Sequence, residues 1–193
     1  MPSFGSGLVA ILEAPVVKTI LFLLALIAAP SAFAQRVAEP DVIPGQKEIR
    51  AFEKTKISLA QAIKIAAQKH KDARVVDVSF DGQSDQLAYK VKTYQGNEIW
   101  EGAIDAWTGE MLGDGTTTPV SKLDEEDKLE LAGLLKASID LAKATALAEE
   151  KGLGKAISAG LEETNGQVVY EITVVKDGSM TKYTVDPKSG KIR

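Results

Sequence analysis

An internal repeat is the feature of this sequence that most constrains its fold. Segments 89–112 and 170–193 both begin with tyrosine, and both reach an aspartate 16 residues later, Asp105 and Asp186. Each aspartate opens the same closing pattern, Asp-x-x-[Thr/Ser]-Gly-[Glu/Lys]-[Met/Ile]. The pattern Ile-[Ser/Asp]-Leu-Ala-x-Ala, which begins at Ile57, also recurs 82 positions later. Self-similarity of this kind predicts two consecutive copies of one structural unit.

Each copy has the pattern of one amphipathic helix followed by three strands. The first helix begins after Ser58, which forms a capping box with Gln61, and Asp140 caps the helix of the second copy. Alternating apolar residues predict strands over 76–80, 87–91 and 99–106, and over 157–161, 167–176 and 180–185. Asp-Gly, Gly-Asn and Asn-Gly pairs favour tight turns at 81–82, 96–97, 165–166 and 177–178. We therefore predict an α+β fold, in which each helix covers the apolar face of a three-stranded antiparallel sheet.

The repeat also sets the domain organisation that we predict. Residues 46–112 form the first copy, 128–193 form the second, and 113–127 link them. Short charged helices are predicted over 46–55 and 124–138. A unit of this size buries little surface alone, so we expect the copies to dock as a pseudo-symmetric pair, through their sheet edges or a linking helix. Two independent copies are the alternative.

The first 34 residues have the pattern of a secretory signal peptide. Lys18 precedes an almost wholly apolar run from Thr19 to Ala29, and Ala32-Phe33-Ala34 matches a small-x-small cleavage site. We predict cleavage after Ala34, a flexible leader over 35–45, and a periplasmic or secreted protein that does not insert into the membrane. An uncleaved N-terminal anchor and a start downstream of Met1 are the alternatives.

Composition excludes several classes of function. The chain has no cysteine, which rules out disulfides, thiolate metal sites and cysteine nucleophiles. Its formal net charge of −4, with both signs interspersed, lacks the basic footprint of a nucleic-acid-binding protein. His70, the one histidine, lies at a predicted helix end, and the acidic run 124–127 suits the first turn of a helix better than a calcium loop. We therefore expect no catalytic residue, metal or cofactor, and no enzyme.

Three aromatic residues lie around the third strand of the first copy. Trp100 alternates in phase with Ile104 and is predicted to face the helix, whereas Trp107 lies in the closing turn. One interpretation is that both indoles pack in the core. The other is that Tyr94 and Trp107 contribute to a protein-binding patch.

The combined pattern resembles the PepSY domain, in which a helix that opens with [Ser/Asp]-Leu-Ala-x-Ala precedes a three-stranded meander. The matching positions of the closing turns are Asp105, Thr108, Gly109, Asp186, Ser189 and Gly190. The second copy departs from the family pattern at Pro187-Lys188. The resemblance implies a structural motif without catalytic residues. It also implies a link to peptidase propeptides and to the regulation of proteolysis near the cell envelope.

Two functions follow from the resemblance as hypotheses. The first is an exported, non-catalytic protein that binds and restrains a peptidase or another envelope protein, through a strand edge that pairs with an extended segment. The alternative is a sensory or accessory module that binds a small ligand or a membrane-protein ectodomain between the repeats. An unpaired strand edge favours the first hypothesis, and a pocket with converging polar groups between the copies favours the second.

Overall fold

The computed structural model describes residues 44–70, 72–84, 86–164 and 166–193. The predicted signal peptide, its cleavage site, most of the leader and Asn165 of one predicted turn lie outside the described residues. Among the described residues, no helix is long and apolar enough to cross a membrane. The regular elements, in chain order, are α1 Pro44–Phe52, α2 Leu59–Lys69, β1 Arg74–Asp81, β2 Ala88–Gln95, β3 Glu98–Asp105, β4 Thr116–Pro119, α3 Glu125–Leu135, α4 Leu141–Gly152, β5 Lys155–Thr164, β6 Gln167–Lys176 and β7 Ser179–Val185.

The two copies have the same elements in the same order. The helix pair α1–α2 corresponds to α3–α4, and the meander β1–β2–β3 corresponds to β5–β6–β7. The correspondence extends to the short helices, since buried Ile49 and Phe52 of α1 occupy the places of buried Leu131 and Leu134 of α3. The predicted α+β fold of two tandem repeats is therefore confirmed.

The main helices begin where the capping signals predict. Ser58 Oγ accepts a hydrogen bond from Gln61 N at 3.2 Å, and Gln61 Oε1 accepts one from Ser58 N at 2.8 Å. These reciprocal bonds satisfy two backbone donors at the first turn of α2. In the second copy Asp140 Oδ1 accepts from Lys143 N at 2.8 Å. The α4 helix ends in a left-handed residue, and that residue is Leu153, with φ of 50°, rather than a glycine.

A single antiparallel sheet of seven strands joins the copies, in the order β4-β3-β2-β1-β5-β6-β7. The first strand of one copy pairs with the first strand of the other, through Asp77↔Gly160, Val78↔Ala159 and Ser79↔Ser158. We call these three pairs the seam. Because equivalent strands meet antiparallel, the two copies are related by an approximate two-fold axis through the seam. The copies therefore dock through their sheet edges, one of the two routes predicted.

The core lies between the helices and one face of the sheet. Buried Val78 and Ala159 face the same helix layer as buried Tyr89 and Tyr170, one tyrosine from each copy. Each tyrosine hydroxyl reaches the residue just before the main helix of its own copy: Tyr89 Oη donates to Ile57 O at 2.7 Å, and Tyr170 Oη donates to Ile139 O at 3.0 Å. These bonds satisfy the phenol oxygens inside an otherwise apolar core.

Three local features differ from the sequence-based expectations. The alternation over 76–80 is interrupted by a bulge between Val75 and Asp77, so that Val75 is buried and Val76 is only partly buried. The segment predicted as a linker contains β4, which pairs with β3. At the 81–82 turn the Asp81 carboxylate accepts from Gln83 N and Ser84 N, so a side chain organises this turn.

The Asp77 carboxyl group lies at the seam, and we expect it to make the stability of the protein depend on pH. A Cβ atom on Gly160 would lie 2.2 Å from Asp77 Oδ2, so the carboxyl fills the space above that glycine. Burial raises the pKa of Asp77 to about 6, against the opposing effects of Lys92 and of a hydrogen bond to Ser79. A carboxyl with a raised folded-state pKa holds its proton more tightly in the folded protein. The free energy of unfolding should therefore fall as the pH rises from about 4 to about 6, and then level off.

We expect the variant Asp77→Asn to be more stable than the wild type above pH 7 and to lose that advantage near pH 4. The stability advantage of the variant should change by roughly 1–3 kcal/mol between the two pH values. One pKa unit corresponds to about 1.4 kcal/mol, and partial exposure of the carboxyl weakens the effect. Urea unfolding of both proteins across this range measures it. Asp81→Asn is the matched control. Hydrogen bonds from Lys90 and Ser84 lower the pKa of Asp81, so removal of this carboxylate should destabilise the folded protein at neutral pH. Equal pH dependence in wild type and Asp77→Asn would contradict the assignment.

Candidate functional site

The predicted family turns form the same hydrogen-bond network in both copies. Asp105 Oδ1 accepts from Trp107 N and Thr108 N, both at 2.8 Å, and Asp186 Oδ1 accepts from Lys188 N at 3.1 Å and Ser189 N at 2.7 Å. Bonds from these backbone amides lower the pKa of both carboxyls, that of Asp105 to about 2. The residue after each threonine or serine, Gly109 or Gly190, has φ of 77° or 72°, a conformation that glycine adopts without strain.

Each turn also holds the start of its own main helix. The carbonyl of Ala106 accepts from Lys56 N and Ile57 N, both at 3.1 Å, and the carbonyl of Pro187 accepts from the two equivalent amides at 2.9 and 3.1 Å. Pro187 departs from the family pattern without losing this contact, because the contact uses a carbonyl and needs no N–H. The motif residues thus organise the turns that hold the main helices. The second carboxylate oxygen of Asp105 accepts from Gln86 Nε2 at 2.7 Å.

The two aromatic residues proposed as a patch lie at opposite ends of the β2–β3 hairpin. Tyr94 pairs with Ile99 beside the Gly96-Asn97 turn, whereas Trp107 follows Asp105 at the other end. At about 3.3 Å per strand residue, this places them more than about 20 Å apart, so they do not share a patch. Trp107 is 53% exposed, and Lys56 Nζ lies 4.4 Å from its ring centroid. The interpretation that both indoles belong to the core is therefore wrong for Trp107.

Trp100 is a core residue, as predicted, and it contacts His70. The two ring centroids are 4.7 Å apart, and Trp100 Nε1 donates to Asp114 O at 2.9 Å. His70 Nε2 is buried and has no hydrogen-bond partner among the described residues. His70 therefore packs against an aromatic ring at the end of α2, a contact that its position between lysines did not reveal.

The acidic run begins α3, as the sequence predicts. Asp124 is the N-cap, and its Oδ1 accepts from Asp127 N at 2.9 Å. Farther along the helix, burial raises the pKa of Glu130 to about 7, and the charges of Asp127 and Glu162 add to this. Within the described residues, no group of three or more His, Cys, Asp or Glu side chains is placed to hold a metal ion.

The outer strand edges of the two copies differ. In the first copy, β4 pairs with β3 through Glu98↔Pro119, Ile99↔Thr118, Trp100↔Thr117 and Glu101↔Thr116. The equivalent residues of the second copy are 179–182 of β7, and no strand among the described residues pairs with their outer side. The exposure of equivalent side chains reflects this difference, since Ile99 is 5% exposed and Met180 is 38% exposed.

The hydrogen-bonding groups of this edge can be assigned from the register. Thr184 exchanges two backbone bonds with Arg193 on the outer side of β7, at 3.2 and 2.9 Å. Because outward-facing residues alternate in an antiparallel strand, Lys182 and Met180 also direct their N–H and C=O groups outward. We call this stretch, residues 179–183, the open edge. Another extended segment can continue the sheet here. The edge strand at the other end of the sheet, β4, has only four residues and ends in Pro119, which has no N–H to donate.

A family model described as "Peptidase propeptide and YPEB domain", PepSY, matches residues 56–114 and 136–193, more than half of the chain. The chain belongs to the PepSY family. Each matched region contains one main helix and its three-stranded meander, so the two PepSY copies predicted from the repeat are confirmed. The helices α1 and α3 and the strand β4 lie outside the matched regions.

One solved structure is similar to this PepSY protein. It is a protein from Clostridium difficile 630 assigned as a lipoprotein, with 26% sequence identity. The similarity covers 72% of this chain and 91% of that chain, with a TM-score of 0.41. None of the curated proteins with which the chain was compared matched it.

The open edge is a feature of the second PepSY copy that sequence reasoning did not locate. The signal was present in the segment GDGTTTPVS, which follows the first copy and has three consecutive threonines. Threonine is enriched in strands, so this segment could have been recognised as a strand that covers one copy and leaves the other uncovered.

Proposed function

We propose that this protein is an exported PepSY module that binds an extended segment of a peptidase through the open edge and thereby restrains that peptidase. The observation that carries the proposal is the difference between the copies: β4 pairs with the outer side of β3, whereas no strand among the described residues pairs with the outer side of residues 179–183 of β7. The family description as a peptidase propeptide supports the choice of partner.

The chemistry of the open edge suits strand addition. Met180 and Lys182 offer two donors and two acceptors at a spacing that an antiparallel strand matches. On the inner side, β7 is held by seven register pairs to β6, and Lys182 Nζ lies 2.7 Å from Glu171 Oε1. The edge is therefore supported by the sheet behind it, so a partner strand adds to a preformed template. A segment of the peptidase that pairs with this edge is held extended against the sheet, and the peptidase is restrained by that attachment.

The variant Met180→Pro should weaken this binding strongly while leaving the fold intact. Proline removes the outward N–H of residue 180, and proline is tolerated on an edge strand where that N–H does not bond within the sheet. We expect at least about tenfold weaker binding, the result of losing one main-chain bond and of the steric effect of the ring. The measurement is crosslinking of the tagged protein in the cell envelope, identification of the captured peptidase, and an assay of that peptidase with each purified variant.

Met180→Thr is the matched control, because it changes the same side chain and keeps the N–H. Inhibition by the wild type and Met180→Thr, with release by Met180→Pro, supports the proposal. Equal inhibition by all three proteins contradicts binding at the open edge. Capture of a sensor or transporter ectodomain, with no effect on any peptidase, contradicts the choice of partner and favours an accessory role.

A further inference from the structure

A groove of about 600 Å³ lies between the main helices of the two copies, on the helix side of the sheet. Ile63 and Ala67 of α2 form one wall, Leu141 and Ala142 of α4 form the other, Val75 forms the floor and Leu134 of α3 closes one end. Its size and apolar lining are typical of small-molecule sites. The groove lies above β1, and three strand spacings, a distance of about 14 Å, separate β1 from β7. The groove is therefore distinct from the open edge.

The charged groups of the groove are unbalanced. Lys64 and Arg74 both line it, and neither takes part in an ion pair among the described residues. The one acidic residue of the lining, Asp140, is engaged as the N-cap of α4, where its Oδ1 accepts from Lys143 N at 2.8 Å. The groove therefore combines an apolar interior with two cations and one carboxylate, an excess of one positive charge in a chain whose formal net charge is −4.

The internal repeat explains why the groove forms beside α2 of the first copy and has no counterpart, among the described residues, beside α4 of the second copy. The helix correspondence of 82 positions relates Ala67 of α2 to Glu149 of α4. Glu149 Oε1 accepts from Ala156 N at 2.9 Å, so its side chain spans the gap between α4 and β5. At the equivalent place in the first copy, the methyl group of Ala67 leaves the gap between α2 and β1 open. The same correspondence relates Lys64 to Ala146, so the second copy has no cation at the position equivalent to Lys64.

We propose that this groove binds a single-chain amphiphile with an anionic head, such as a free carboxylate with an aliphatic tail. The tail occupies the apolar space between α2 and α4, and the head is neutralised by Lys64 and Arg74. This site is separate from the open edge and does not depend on the peptidase partner. An amphipathic peptide helix is a different occupant, and the test below distinguishes it.

The test uses the protein purified from the cell envelope in the form that the cell delivers. Decanoate is titrated below its micellar concentration and binding is followed by calorimetry, with decyltrimethylammonium as the cationic probe and decanol as the neutral probe. Ala67→Glu installs the residue that the second copy already carries at the equivalent position, so the variant fills the groove in a manner the fold accommodates. Gln68→Glu adds the same charge one residue away, at an exposed position outside the groove lining. Lys64→Ala removes one cation.

We expect decanoate to bind the wild type and Gln68→Glu equally, and to bind Ala67→Glu and Lys64→Ala at least about tenfold more weakly. Weak binding of decyltrimethylammonium is also expected. Comparable binding of the cationic probe, undiminished binding to Ala67→Glu, or no binding of decanoate to the wild type would overturn the proposal. Binding to phosphatidylglycerol vesicles without binding to free decanoate would overturn it as well, as would binding only to an amphipathic acidic peptide. Ala67 is not part of the open edge, so peptidase inhibition by Ala67→Glu, measured in parallel, tests the proposed function separately from the groove.

Discussion

Replacing Ala159 by lysine is expected to disrupt the joined sheet and unfold the protein at neutral pH. Ala159 is 1% exposed and pairs with Val78 at the centre of the seam, beneath the helix layer. A lysine there must place an unpaired ammonium group in the core or force the strands apart. A buried, unpaired charge costs about 3–5 kcal/mol, which is a large part of the stability of an ordinary domain. Chemical denaturation followed by circular dichroism measures the loss.

Ser158→Lys is the control for this prediction. Ser158 precedes Ala159 in β5 and pairs with Ser79 in the same seam. Its side chain lies on the face of the sheet opposite to that of Ala159 and is only partly buried. The same substituent at this position should change the free energy of unfolding by less than about 1 kcal/mol. Similar stability of Ala159→Lys and Ser158→Lys would show that the seam does not hold the two copies in one cooperative unit.

Truncating Trp100 to alanine is expected to cost about 3–5 kcal/mol and to release β4 from the sheet. The indole lies over Gly102 and Gly115, where an added Cβ would come within 2.2 and 2.6 Å of ring atoms. It also bonds the carbonyl of Asp114, just before β4. Loss of the ring therefore removes the contacts that bring β4 to the β3 edge. Hydrogen exchange should then become faster at the backbone amides of Ile99 and Glu101.

Trp100→Phe separates the two contributions of the indole. A phenyl ring keeps most of the apolar packing and lacks the N–H that bonds Asp114, so we expect an intermediate loss of roughly 1–2 kcal/mol. The exchange of the amides that face β4 should stay close to that of the wild type. Unchanged protection of Ile99 in Trp100→Ala would show that β4 is held by its own strand pairing without the indole.

Features that depend on neighbours in the chain could be predicted from the sequence. The capping box of Ser58 and Gln61 is local, because the donors and acceptors lie three residues apart. The β6 strand alternates so regularly that its predicted bounds, 167–176, agree with the structure. The closing turns are also local, since the Asp105 carboxylate contacts amides two and three residues away. In each case the physical contact that determines the structure is contained within the pattern itself.

Features that depend on contacts between distant segments were decided by the tertiary structure. Tyr94 and Trp107 are close in the chain and distant in space, because an extended hairpin separates its two ends. The same holds for the open edge, which depends on where β4 pairs, and for the groove, whose lining combines residues of α2, β1, α3 and α4. The sequence by itself determined two repeats, their helices and most of their strands, since local hydrogen bonds and alternation encode these. The seam, the covered edge and the groove required the folded structure, because strand pairing and helix packing bring together residues whose separation along the chain carries no periodic signal.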